Sequence, residues 1–228
     1  MSTNAIYTTL ELLAKFRFVP AAIIGREVFP HVSNTSRAPM TSRVLKRLRE
    51  DGLIDRQMVL GRTWVHWLTE AGAHALDVEG GKGGVKLAEY EHDLAIVHLY
   101  LTLREHPLVE RIITEREARS ECPDAENNPW AIPITRQSGK ADYAWPDIIT
   151  VGPNGRWGHE VEWTRKNKQR LRLLMLAYGH HADYTGGVYY TTPQTSTLIN
   201  EAATTVNDRL WESGYGRQII TRNLTDTI

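Results

Sequence analysis

Asp147, Glu160 and Glu162 are the residues of this chain whose type and spacing could do chemistry. They lie in WPDIITVGPNGRWGHEVEWTRK, residues 145–166: a Pro-Asp pair, a short apolar run, a Pro-Asn-Gly turn, and a second extended run holding both glutamates. Residues two apart on a strand project to one face, so Glu160 and Glu162 share a side. Carboxylates from two strands, with the carbonyl of Val161, are oxygen ligands suited to Mg²⁺ or Mn²⁺, an ion that keeps several waters. Such an ion acidifies a bound water, holds it in line with a phosphorus atom and neutralises the developing charge. Asp147 and Glu160 are the expected ligands, and Glu162 or Lys166 would handle the attacking water. The plainer alternative is an exposed hairpin with solvated carboxylates. Against it, like charges placed opposite one another repel, and a bound cation would relieve that.

The surrounding pattern must position these groups. Lys86 to Pro107 reads as a long helix and Val109 to Arg119 as extended. Ser120 to Ala141 reads as a long polar loop with room for one short strand. Tyr143 to Val151 and Arg156 to Thr164 read as paired strands. Leu171, Leu174, Met175 and Tyr178 recur at helical spacing within Lys166 to His181. Gly187 to Thr192 is a strand, Ser196 to Leu210 a helix and Gln218 to Thr221 a last strand. The order is α-β-β-β-α-β-α-β. Trp157 and Trp163 have opposite parity to the two glutamates and should face the other side of the sheet.

Weaker candidates stand nearby. Glu91, at the start of the long helix, could join an acidic site or simply favour the helix dipole. Glu115 and Glu117, two apart on the expected strand, share a face. His92 and Asp93 suit a cap, and the His180-His181 pair suits a helix end. Cys122 has no evident His partner for thiol chemistry.

The first third of the chain has a different character. Thr8 to Phe16 and Pro20 to Val28 read as helices, the second with Pro at its start. Phe29 to Pro39 is loop-like. Thr41 to Glu50 puts Val44, Leu45 and Leu48 on one stripe and bases elsewhere, and Gly52 ends it. Ile54–Leu60 and Thr63–Leu68 alternate around Gly61 as a hairpin. Helix, helix, basic helix, hairpin is the order of a winged helix-turn-helix. Arg37, Ser42, Arg43 and Arg47 would then face bases, and Lys46 and Arg62 would touch phosphate. A basic amphipathic helix with a solvated face is the alternative.

Composition agrees with a two-part chain. Met1 to Leu76 holds ten Lys/Arg against six Asp/Glu, whereas the remainder holds seventeen against twenty-one. A basic front and an acidic back suit DNA docking joined to cation binding. VEGGKGGV, residues 78–85, lacks the spacing of a phosphate-binding loop and reads as a linker. We expect a winged helix at 1–77, that linker, and an α/β (α+β) domain at 86–228 with a mixed sheet flanked by helices. The one cysteine forbids an intrachain disulfide and fits a reducing, cytoplasmic setting. No run is long enough for a membrane span, and the N-terminus has no secretory pattern.

The element order and the Pro-Asp…Glu-x-Glu spacing resemble the PD-(D/E)xK nuclease superfamily. That superfamily usually has Lys where Glu162 stands. Some of its restriction enzymes carry Glu there, and its lysine can migrate, which would suit Lys166. From about Thr8 to Thr192 the chain also resembles the plasmid replication-relaxation family. The shared elements are the N-terminal winged helix, EHDLAIVHLYL, ITEREAR, Pro-Asp, EVEW and RLRLLMLAYGHH. The family's Trp is replaced by Thr114. The resemblance implies a DNA-binding protein of a plasmid or integrative element, acting on double-stranded DNA in replication, nicking or transfer. The implied activity is that of a Mg²⁺-dependent endonuclease or nickase, with replication or transfer proteins of the same element as partners. The alternative is a non-catalytic regulator or origin-binding factor whose second domain serves homodimerisation.

Overall fold

Leu10, Leu13 and Phe16 are buried along one side of the opening segment, so the first helix, α1 (Thr3–Lys15), forms where apolar spacing gives it a face to bury. The computed structural model describes residues 3–78, 84–135, 141–164, 167–216 and 218–227. The chain divides into two compact units, Met1–Leu94 and Ala95–Ile228.

In the first unit, β1 (Val19–Pro20) leads into α2 (Ala21–Val28), with Pro20 as its N-cap residue. Next come α3 (Asn34–Glu50), the hairpin β2 (Ile54–Val59) and β3 (Thr63–Leu68), and α4 (Glu70–Ala75). The three strands form an antiparallel sheet in the order β1-β3-β2. Leu60 and Gly61 turn the hairpin with φ of 52° and 65°. Thr69 caps α4 by accepting from the Gly72 amide at 3.1 Å.

The segment Phe29–Pro39 is the expected loop only as far as Ser33, because α3 starts at Asn34 and contains Pro39. Its Ser, Asn and Thr residues form the first helical turn. Arg37 secures the approach by donating to the carbonyls of Phe29 (3.1 Å), Pro30 (3.3 Å) and Val32 (2.7 Å), and to Oδ1 of Asn34 (3.0 Å).

The division between units falls inside α5 (Tyr90–Arg104), not in the glycine stretch, of which residues 79–83 lie outside the described residues. The second unit continues with β4 (Arg111–Thr114), α6 (Glu115–Glu121), β5 (Ile132–Thr135), β6 (Ala141–Ala144), β7 (Ile148–Gly152) and β8 (Gly155–Glu162). It ends with α7 (Lys168–His180), β9 (Tyr184–Thr191), α8 (Ser196–Glu212) and β10 (Gln218–Asn223). The five-stranded sheet runs β10-β9-β8-β7-β4 and is mixed. β4, β7 and β8 pair antiparallel, whereas β8 with β9 and β9 with β10 are parallel. Parallel neighbours need a crossover, and α7 and α8 supply the two. Both helices pack on one face: Leu171, Met175, Tyr178, Ile199, Val206 and Leu210 share a core with Ile149 and Tyr189. The unit is a mixed sheet flanked by helices.

Two expectations need correction here. Val109–Arg119 is extended only to Thr114, where a capping box starts α6: Glu117 accepts from the Thr114 amide at 2.9 Å, and its own amide donates back to Thr114 Oγ1. The polar stretch from Ser120 to Ala141 holds the one short strand expected there, β5, which pairs with β6. Its preceding turn is held by buried Asn128, which donates to the carbonyls of Ala118 and Cys122, each at 2.6 Å. Finally, Tyr143–Val151 is not one strand, because Trp145-Pro146-Asp147 separates β6 from β7. Proline has no amide hydrogen for a ladder.

Candidate functional site

Asp147 sits immediately before β7, and its backbone is fixed from the neighbouring strand by the Glu115 amide, which donates to its carbonyl at 3.2 Å. The β7–β8 register pairs Ile148 with His159, so one further step sets Asp147 opposite Glu160. The carboxylate closes the end of the hairpin, because Oδ2 accepts from the Val161 amide at 2.8 Å. Asp147 is half-buried, Glu160 is buried and Glu162 is fully enclosed. A solvated hairpin is therefore ruled out for these glutamates. β8 is an interior strand, and its glutamates lie on the face that α7 and α8 cover.

Two tyrosines complete the group. Tyr178 of α7 is fully buried and donates from its hydroxyl to Oε1 of Glu160 at 2.6 Å. Its ring fits where Gly158 and Gly187 have no side chains: a Cβ at Gly158 would overlap Cε1 of Tyr178, and one at Gly187 would lie 3.2 Å from Cδ2. Tyr189 pairs with Glu160 across the parallel ladder. Its buried hydroxyl has no hydrogen-bond partner among the described residues. Burial pushes the Tyr189 phenol well up, and the charges of Glu160, Glu162 and Asp147 push it further, so all three carboxylates act on one hydroxyl. Burial and then Glu160 likewise raise Tyr178. Sequence reading saw Tyr178 only as a core position and Tyr189 only as a β-former. The sole available signal was their helix and strand parity relative to Glu160.

The opposite face has its own polar set. His159 Nε2 lies 2.8 Å from Thr150 Oγ1, and its Nδ1 lies 3.1 Å from the Tyr190 hydroxyl. Burial lowers His159 to about 3, with Arg222 adding to the effect, so the ring is neutral. Trp157 shares this face, as its parity requires: a Cβ at Gly186 would lie 2.9 Å from its ring.

The donors suit Mg²⁺ by type, since all are hard carboxylate oxygens. Among the described residues, no group of three or more His, Cys, Asp or Glu is gathered to hold a metal. A two-carboxylate site is compatible with these contacts. A carboxylate has about four lone-pair sites, and Mg²⁺ commonly takes one or two carboxylates and keeps waters. Asp147 and Glu160 fit that requirement, each already oriented by one hydrogen bond. Lys166 lies outside the described residues.

The weaker candidates have other roles in the fold. Glu117 is occupied by the capping box, and Glu115 pairs with Arg119 at 2.7 Å, so neither shares a strand face. Glu91 is an exposed first-turn residue of α5 and belongs to the first unit. His92 lies 3.2 Å from Asp93. His180 stacks on Tyr215, and His181 accepts from the Asp183 amide. Cys122 donates to the Asp124 carbonyl at 3.4 Å.

In the first unit, α3 buries Val44, Leu45 and Leu48 and exposes Ser42, Arg43, Lys46 and Arg47. Arg47 pairs with Asp51 at 2.8 Å and Lys46 with Glu50 at 3.7 Å, while Arg43 Nε lies 3.4 Å from the Pro39 carbonyl. Arg62 is exposed beside the hairpin turn. Arg37 differs from these, because its guanidinium is committed to the segment before α3.

Comparison of the chain with protein-family models, characterised proteins and solved structures gives no match in any of the three.

Proposed function

We propose that this chain is a DNA-binding protein of a plasmid or other mobile element, whose second unit cleaves or nicks DNA with Mg²⁺. The observation that carries the reading is the placement of Asp147 opposite Glu160 at the end of the β7–β8 hairpin, with Oδ2 of Asp147 held by the Val161 amide. The mixed sheet and the acidic residues at the end of the β7–β8 hairpin support a PD-(D/E)xK-like reading of the second unit. The helix, helix, basic helix, hairpin order supports a winged helix-turn-helix in the first unit. Its exposed Ser42, Arg43, Lys46 and Arg47 are the candidate contacts with double-stranded DNA.

In this mechanism Asp147 and Glu160 would hold the ion, which would supply water activation and charge neutralisation at phosphorus. The Val161 amide and the Tyr178 hydroxyl keep the two carboxylates in fixed orientations. Glu162 or Lys166 would handle the attacking water. In the winged helix, phosphate contacts would fix the register of the duplex, and base contacts would read its sequence.

A second reading has its own support. Glu162 is fully enclosed and Glu160 is engaged by a phenol, as suits a carboxylate group that has become structural. The protein would then be a non-catalytic regulator or origin-binding factor. Supercoiled plasmid incubated with Mg²⁺, Mn²⁺ or EDTA separates the two, with Glu160→Ala alongside and a mobility shift in parallel. Metal-dependent nicks lost in Glu160→Ala support the nuclease. A clean shift with intact plasmid in every lane supports the regulator. Mg²⁺ binding measured by calorimetry gives a second readout, and Asp147→Ala should abolish it.

A further inference from the structure

The first unit contains a cavity of about 680 Å³, whose lining includes Ser42 and Lys46 of the proposed DNA-facing surface. Arg26 lines it from α2, Arg37, Lys46 and Arg49 from α3, and Arg56 and His66 from the hairpin. No Asp or Glu lines it among the described residues. The volume is within the range of small-molecule sites, roughly 300–1,000 Å³.

Two buried atoms of its lining residues lack a hydrogen-bond partner among the described residues. His66 is 2% exposed, and its Nδ1 is buried with no hydrogen-bond partner among the described residues. Nε of Arg49 is buried in the same condition. Buried polar groups are ordinarily satisfied, so each such atom calls for an explanation. Burial, and then the nearby Arg56 and Arg49, hold His66 down to about 4, so the positive charge resides on the guanidinium and ammonium groups. At the cavity wall Trp64 is partly exposed, with the Arg56 guanidinium 4.0 Å from its ring centroid. A duplex lying along α3 would set its phosphates on the exposed Ser42 and Lys46, whereas Nε of Arg49 and Nδ1 of His66 are buried.

We propose that this cavity binds a small organic anion, a flat ring bearing a carboxylate or a phosphate. The oxyanion accepts from Arg49 Nε, a polar atom beside it meets His66 Nδ1, and the ring packs against Trp64. The ligand's negative charge offsets the uncompensated guanidiniums, and its acceptor satisfies the buried donor. The site needs neither DNA nor Mg²⁺.

The test is calorimetric titration of the full chain, without DNA or metal, with benzoate and adenosine monophosphate. Benzamide and adenosine are the matched neutral probes. At least one anion should bind saturably, at about 1 mM or tighter, and its neutral counterpart at least tenfold more weakly. The better anion identifies carboxylate or phosphate as the preferred head. Arg49→Gln should weaken that binding about tenfold, and Trp64→Ala should weaken it as well. Trp64 is partly exposed, so its substitution keeps the test open if Arg49→Gln fails to fold. Absence of saturable binding by both anions overturns the proposal, as does equal binding of the neutral probes. So does unchanged affinity in a folded Arg49→Gln or in Trp64→Ala.

Discussion

The hydroxyl of Tyr178 donates to Oε1 of Glu160 across 2.6 Å, and the ring that carries it occupies the notch left by Gly158. One helix residue thus sets both the packing and the polar geometry of the carboxylate group. The two contributions separate by substitution. Tyr178→Phe keeps the ring and removes a hydrogen bond to a buried carboxylate, which should lower unfolding free energy by about 1.5–3 kcal/mol. Tyr178→Ala also opens a cavity and should cost about 3–5 kcal/mol. Urea unfolding monitored on the second unit measures both. Equal losses would show that the ring contributes nothing by packing.

Gly158→Ala places a methyl group into the Tyr178 ring, and its strand backbone cannot yield without disturbing β7 and β9. A loss of about 1–3 kcal/mol is expected, since overpacking a buried contact forces shifts. In the Tyr178→Ala background the added Cβ has space. The double variant should therefore be more stable than the sum of the single losses implies. Strict additivity in thermal unfolding would refute the contact.

Acid should weaken both units. His66 and His159 have folded pKa values lowered to about 4 and about 3 from 6.5. Between those values and 6.5 the unfolded chain binds more protons than the folded one, so stability rises with pH. The contribution is complete above about pH 6.5 and is lost as pH falls through the window. For His66 it is on the order of 3 kcal/mol. Unfolding midpoints measured from pH 7 to pH 4 should fall, and His66→Gln and His159→Gln should each flatten the slope. A pH-independent midpoint over that range would contradict the burial of both rings.

Arginines of α3 should divide by role. Arg37→Ala removes three hydrogen bonds to the segment before the helix and one to Asn34 at its start, and should lower the melting temperature of the first unit. Arg43→Ala should leave it unchanged. If α3 reads DNA, Arg43→Ala and Arg47→Ala should weaken binding, and loss of a phosphate contact should reduce the salt slope by about one per residue. Gel shifts at two or more salt concentrations measure this. Unchanged affinity in both variants would remove α3 from the interface.

Local pattern was legible where one residue spacing had one meaning. The Leu171–Tyr178 spacing marked α7, and Gly61 marked the β2–β3 turn. It failed where composition had two meanings. Ser, Asn, Thr and Pro in 33–39 read as loop, yet the same side chains begin a helix whose entry Arg37 secures at a distance of several residues. Thr114-x-x-Glu117 was a capping box read as strand, because the alternation beside it was equally good. Of the candidate site, the carboxylates were legible from their spacing. The tyrosines were not, because their approach depends on a parallel crossover that brings β9 beside β8. Burial of Glu162 was likewise hidden, since a strand with alternating charge reads as an edge or a solvated face.

The fit of Tyr178 against Gly158 and Gly187 has a consequence for how this chain can change by descent. Three positions on three separate elements are tied to one another by volume alone. Drift at either glycine would displace the phenol from Glu160 while every carboxylate remained in the sequence. A lineage could thus lose the geometry of the group with its acidic residues intact, and a search for those acids would still count it among the bearers of the site.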